Sequence, residues 1–198
     1  MIGAEKILAA RCEKQDVKEK LLKTIKDFEE DFLCVGENPR NGNPTPGNIA
    51  GGITTLEEKS LGCVHKAGTT VIREVVGYGE AISEKGLVVM DTPGQDVASI
   101  VGMAAAGAQG AVFTTGHGTP TGSGLIPVIK LTANQETARL MADNIDYDCS
   151  PVLTQGKELE TAGEELFEMV LRVARGEKPK AELLGFQDVS MARYCNFA

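Results

Sequence analysis

Residues 86–94 read GLVVMDTPG. A short continuous apolar run, entered through a glycine and left through Asp-Thr-Pro-Gly, is the pattern of a strand covered on both faces that ends in a turn. Residues 95–106 (QDVASIVGMAAA) then change to helical spacing. The same order recurs downstream. Strands are predicted at 111–115 and 127–132, a helix at 134–144, a short strand at 152–154 and a helix at 158–175; a strand at 70–76 precedes the quoted stretch. Apolar strands interleaved with helices define an α/β fold with a largely parallel sheet and helices on both faces, Rossmann-like in architecture. With 198 residues, a single α/β domain over 1–198 is expected.

Upstream, Val17, Leu21, Ile25, Phe28 and Phe32 recur at helical spacing and predict an amphipathic helix over 17–33. Asp16 and Glu19 resemble a capping box, and Gly36 stands where a left-handed C-cap belongs. Residues 36–52 (GENPRNGNPTPGNIAGG) are read as a loop, and 54–67 as a helix with Thr54 or Thr55 as N-cap. Residues beyond 175, past the last helix, show no clear pattern.

Composition narrows the function. Twenty Lys and Arg against 28 Asp and Glu give a net charge of −8, which disfavours nucleic acid and anionic membrane as partners. Residues 97–129 carry no Asp, Glu, Lys or Arg, but their seven glycines and two prolines cannot satisfy a backbone in lipid. The first residues lack a basic-then-apolar signal segment. Five scattered cysteines (Cys12, Cys34, Cys63, Cys149, Cys195), none in C-x-x-C, fit a reducing cytoplasm and exclude a zinc ribbon. No G-x-G-x-x-G dinucleotide fingerprint, Walker loop, G-x-S-x-G or H-E-x-x-H occurs, so nucleotide enzymes and serine hydrolases are disfavoured.

In open parallel sheets, ligands bind beyond the carboxyl ends of the strands. Those ends here are 91–94 (DTPG), 114–124 (TTGHGTPTGSG) and 132–134 (TAN), rich in the hydroxyls, amides and glycines that suit a polyhydroxylated acid. Asp91 is a general base, a metal ligand, or a cap for its own turn. Lys130 neutralises a substrate carboxylate or snorkels from its strand. Glu57 and Glu58 offer a base or a metal ligand, or only complement a helix dipole. His117 lies in the richest loop, whereas His65 reads as structural. With only these two histidines, any metal must be held mainly by oxygen ligands or by ligands from another chain. Asn41, Asn43 and Asn48 suit turns and ligand binding equally.

Residues 43–62 (NPTPGNIAGGITTLEEKSLG) resemble the hallmark stretch of the altronate dehydratase and galactarate dehydratase family, which also holds the sulfolactate sulfo-lyase large subunit. Residues 90–94 (MDTPG), 113–120 (FTTGHGTP), 127–130 (PVIK) and 141–146 (MADNID) resemble it in order and spacing, from 2–5 (IGAE) onward. The resemblance implies a sugar-acid dehydratase, iron(II)-dependent or using another divalent metal, with some ligands possible outside this chain. Members are longer, so it implies the C-terminal part, a missing N-terminal domain or small subunit, and a homo-oligomer. It carries over Asn43, Asn48, Glu57, Lys59, Asp91, Thr115, Thr119 and Lys130 as site residues: Asp91, Lys59 and Glu57 catalytic, the rest with His117 substrate-binding, the metal ligands unassigned. The position of His117 is usually Arg in that pattern. A sulfo-lyase fragment and a non-catalytic binding or assembly domain are the alternatives.

Overall fold

The computed structural model describes residues 1–192; Cys195 lies outside them. The chain divides into two compact units, Met1–Gly77 with Ile82–Asp91, and Tyr78–Ala81 with the chain from Thr92 onward.

The first unit contains α1 (Glu5–Ala9), α2 (Gln15–Cys34), α3 (Pro46–Ala50), α4 (Leu56–Lys66), β1 (Ile72–Val76) and β2 (Leu87–Met90). Its core joins Ala4, Leu8, Leu21, Val64, Ile72 and Val75, with Val17 and Ile25 packed against it. The apolar stripe of α2 is therefore used as its spacing suggests up to Ile25, while Phe28 and Phe32 contact each other in a tilted pair, centroids 5.0 Å apart, and remain exposed. The capping box at Asp16 does not form. The helix starts at Gln15 after Lys14, which leaves Asp16 inside the first turn with its Oδ1 accepting from Val17 N–H. At the other end Gly36 (φ +77°) donates to Leu33 O and Glu37 to Phe32 O, the expected left-handed C-cap.

The stretch read as loop contains α3. Thr45 Oγ accepts from Asn48 N–H and Asn48 Oδ1 from Thr45 N–H, a reciprocal cap with Pro46 in the first turn, so one helical turn is stable without any apolar periodicity. Thr55 is the N-cap of α4, accepting from Glu58 N–H. Strands β1 and β2 pair in parallel, Val76 opposite Met90, and Asp91 N–H continues the ladder to Val76 O at 2.9 Å.

The second unit contains α5 (Asp96–Ala105), β3 (Ala111–Thr114), β4 (Val128–Thr132), α6 (Gln135–Leu140), β5 (Tyr147–Asp148), α7 (Ser150–Thr154), α8 (Leu159–Ala174) and α9 (Lys180–Leu183). Strands β3, β4 and β5 form a parallel sheet in that order, and Ile100, Ile126 and Val128 form a core beside it. The strand expected at 152–154 is helical. Pro151 in the first turn presets a helix there, and the strand lies earlier, at Tyr147–Asp148. The fold is thus α/β with parallel pairing throughout and flanking helices, its strands divided among the described residues between sheets of two and three.

α6 stops at Leu140, short of residue 144. The following carbonyls of Ala142 and Ile145 accept from Lys180 Nζ instead, each at 2.6 Å. Asp146 completes this fastening: one carboxylate oxygen accepts from Lys130 N–H and the other from Lys180 N–H, both at 2.7 Å. Asp146→Ala strands two amides at once and is expected to cost about 2 kcal/mol, read as a lower midpoint in chemical denaturation. An unchanged midpoint would show that these bonds are replaced by water.

Candidate functional site

The sequence candidates fall into two groups, one in each unit. In the first unit the loop 36–52 is fastened to α4 by side chains of opposite character. Lys59, on α4, donates from Nζ to Asn43 Oδ1 and to Asn48 Oδ1, each at 3.0 Å. Two neutral amide oxygens orient the ammonium without cancelling its charge, and its third proton has no acceptor among the described residues. The capped turn of α3 sets Asn48, whose Oδ1 also accepts from Thr45 Oγ at 3.0 Å. One helical turn and an Asn three residues before it thus make a cradle for a half-buried cation.

Glu57 belongs to the same fastening. Its Oε1 accepts from Arg40 Nε at 2.8 Å, and Arg40 Nη1 reaches Glu29 Oε1 on α2 at 3.2 Å. A backbone N–H at the start of α4, and then Arg40, hold the Glu57 carboxyl below its ordinary value. A carboxylate kept ionised and occupied in this way is an anchor for the loop. Glu58 is likewise lowered, by the N–H and hydroxyl of Thr54. The sequence reading missed Arg40 and Glu29, because a lone Arg in a Gly-, Pro- and Asn-rich loop carries no spacing signal.

Asp91 stands where β2 ends. Its carboxylate accepts no hydrogen bond from the described residues, so the turn-capping alternative is not realised. Burial chiefly, and then the carboxylates of Asp27 and Asp31 on α2, push it above the ordinary carboxylate value. The charged form is costly there, and a proton is bound more tightly than on a free Asp.

The second group surrounds the loop after β3. Thr115 Oγ accepts from Gly118 N–H at 3.0 Å, Thr119 Oγ donates to Thr121 Oγ at 2.7 Å, and His117 is exposed at the loop's crest. Lys130 does not snorkel from its strand, as one of the two readings of it expected. It has no exposed surface, and its Nζ donates to Thr121 O at 2.9 Å. Burial lowers its pKa; the Asp146 carboxylate opposes this and Lys180 adds to it.

Among the described residues, no three His, Cys, Asp or Glu side chains gather in a way that could hold a metal ion, and no helix is long and apolar enough to cross a membrane.

Comparison with known proteins agrees with the motif series. The family model described as D-galactarate/Altronate dehydratase, C-terminal, matches residues 1–196. The altronate dehydratase of Escherichia coli (strain K12) is 37% identical over 191 residues, covering 96% of this chain and 38% of that protein. The (2R)-sulfolactate sulfo-lyase subunit beta of Chromohalobacter salexigens is 36% identical over 198 residues, 98% of this chain and 50% of that one. Galactarate dehydratase (L-threo-forming) of Escherichia coli (strain K12) is 34% identical over 172 residues, 87% and 33% respectively. The chain spans a third to a half of the length of these relatives. Since the match runs through both units and takes in the Asn43–Asn48–Lys59 cradle, Asp91 and the loop after β3, the chain belongs to the D-galactarate/altronate dehydratase C-terminal family.

Proposed function

We propose that this chain forms the C-terminal catalytic part of a sugar-acid dehydratase, a hydro-lyase that removes water from a hexonate or hexarate of the altronate or galactarate type to give a 2-keto-3-deoxy acid. The observation that carries the reading is the family match over residues 1–196, with relatives named for both sugar acids.

The chemistry asks for few groups. The C–H bond beside the carboxylate breaks and its electron pair becomes a C=C bond, while the C–O bond on the neighbouring carbon breaks and the hydroxyl, taking a proton from a general acid, leaves as water. The resulting enol takes a proton on carbon and becomes the ketone. In this reading Asp91, whose affinity for a proton is raised, accepts the proton from carbon. The Lys59 ammonium, aimed by Asn43 and Asn48, faces the negative charge that develops as that proton leaves. Glu57 acts through Arg40 by holding the loop that carries both asparagines. Thr115 and His117, on the loop after β3, are substrate-binding residues by their place in the family motif, and Thr119 serves the internal bonding of that loop.

The described residues do not fit a self-contained metal centre. We therefore place the ligands of the iron(II), or other divalent ion, that the family resemblance implies outside them. The remainder of the longer relatives, as a domain or a small subunit, is the natural partner, and we propose a homo-oligomeric, cytoplasmic enzyme. Among the described residues the cysteines at 12, 34, 63 and 149 are free, which suits that compartment.

A second reading rests on the 36% identity to a sulfo-lyase subunit: sulfite leaves in place of water. A substrate panel separates them. The complete polypeptide, supplied with iron(II) anaerobically, is expected to form keto acid from altronate or galactarate and to release no sulfite from (2R)-sulfolactate. Sulfite release without sugar-acid turnover would transfer the assignment to the sulfo-lyase, and inactivity on all three would favour a binding or assembly role.

A further inference from the structure

Lys130 is the largest fully buried side chain among the described residues, and the proposed chemistry gives it no task at a reacting atom. It lies on β4, opposite Phe113 of β3, the strand that runs into the loop 115–124. Its ammonium crosses to the far side of that loop and donates to Thr121 O at 2.9 Å. Around that carbonyl the hydroxyls are also buried: Thr119 Oγ bonds Thr121 Oγ and accepts from Thr121 N–H, and Ser123 Oγ accepts from Leu125 N–H. The near side of the loop has its own fastening, Thr137 Oγ donating to Gly116 O at 2.7 Å. Between the two, Gly118 takes φ +82° where a Cβ would stand 2.1 Å from Met141 Sδ.

We infer that Lys130 is a positioning residue: it pins the 115–124 loop from beneath through Thr121 O, so that Thr115 and His117 are held ready for the substrate. The inference rests on the proposed dehydratase reading and deepens it. A buried cation is costly, and an apolar side chain of the same length would pack more cheaply on β4. What the ammonium adds is a donor to a loop carbonyl that no backbone amide of the described residues reaches. Held at both shoulders, the loop meets its ligand already ordered, and less conformational entropy is lost on binding.

The test uses the complete polypeptide with iron(II). Lys130→Met keeps the volume and the stem contacts but removes the donor. Loss of one buried hydrogen bond corresponds to a change of about tenfold. Hydrogen–deuterium exchange in peptides covering 115–124 is therefore expected to accelerate about tenfold, with peptides covering 72–90 unchanged. KM for the sugar acid should rise by a similar factor while kcat changes little. Exchange at the wild-type rate in the variant would overturn the inference, and so would faster exchange with unchanged KM, since the loop's order would then not serve binding. Should Lys130→Met fail to fold, selective ¹⁵N labelling of the lysine Nζ atoms in the wild type gives the same decision. One slowly exchanging ammonium that is absent in Lys130→Arg supports the pin, and uniformly fast exchange overturns it. If the wild type converts no sugar acid, it is the dehydratase reading that fails, and the exchange data still report whether the pin exists.

Discussion

Lys59→Met in the complete enzyme is expected to lower kcat/KM for its sugar acid about 10³-fold while the protein stays folded. Helix α4 does not depend on the ammonium. It is capped by Thr55 and by the Thr54–Glu58 bonds, and it is packed through Leu56, Ser60 and Val64. The Met stem retains the apolar contacts of the Lys stem. What disappears is a positive charge held at 3.0 Å from two amide oxygens and therefore oriented before substrate arrives. Preorganised charge of this kind acts on the transition state, so kcat should fall with kcat/KM. Lys59→Arg is expected to rescue poorly, because a planar guanidinium does not fit the place of a compact ammonium between Asn43 and Asn48. Steady-state kinetics beside circular dichroism decide the matter. Activity within a few-fold of wild type in a folded Lys59→Met protein would remove Lys59 from the chemistry.

For Asp91→Asn two effects of opposite sign are expected. Turnover should fall about 10³-fold, because an amide cannot accept the proton from carbon. Stability should rise. The carboxyl of Asp91 has a higher pKa folded than unfolded, owing first to burial and then to Asp27 and Asp31. Between the two values the folded protein binds more protons than the unfolded chain, so stability declines as pH rises through that window and stays reduced above it. Asn carries no charge and escapes this penalty. Denaturation midpoints of wild type and variant should thus coincide in acid, where Asp91 is protonated in both states, separate in favour of Asn as pH climbs from the unfolded to the folded value, and keep that separation above it. A variant less stable at neutral pH would return Asp91 to a structural role, and a stabilised variant with full activity would make it a burial penalty without chemistry.

The fold was legible where periodicity is long. Strands β1 to β4 and helices α2, α4, α5 and α8 lie within two residues of where apolar spacing and caps put them, because each must bury a face and the burial leaves its period in the sequence. The one-turn helices α1, α3 and α9 leave no period to read. Their stability is local, as the Thr45–Asn48 cap of α3 shows. The division of the strands between two sheets was not legible either, since strand alternation does not say which strands pair.

Residue types at the site were easier to find than their roles. Lys59, Asn43 and Asn48 were named by their motif, but only the fold brings a helix Lys onto two loop amides 16 and 11 residues away. Lys130 went the other way. Its charge-free surroundings in the sequence were a sign of burial, and the cation proved to be enclosed with its donor spent on Thr121 O. Glu57 drew attention as a base beside Lys59. Arg40, silent in the sequence, supplies the partner that keeps it ionised.

The most direct test of the central claim is proton NMR of the product formed in ²H₂O by the complete iron(II)-loaded polypeptide acting on altronate or galactarate. If the chain belongs to a dehydratase that works by proton removal beside the carboxylate and loss of the neighbouring hydroxyl, each turnover yields one 2-keto-3-deoxy acid with one deuterium on the new methylene carbon. Unchanged sugar acid after prolonged incubation with the folded, metal-loaded protein, or a keto acid without deuterium at that carbon, would contradict it.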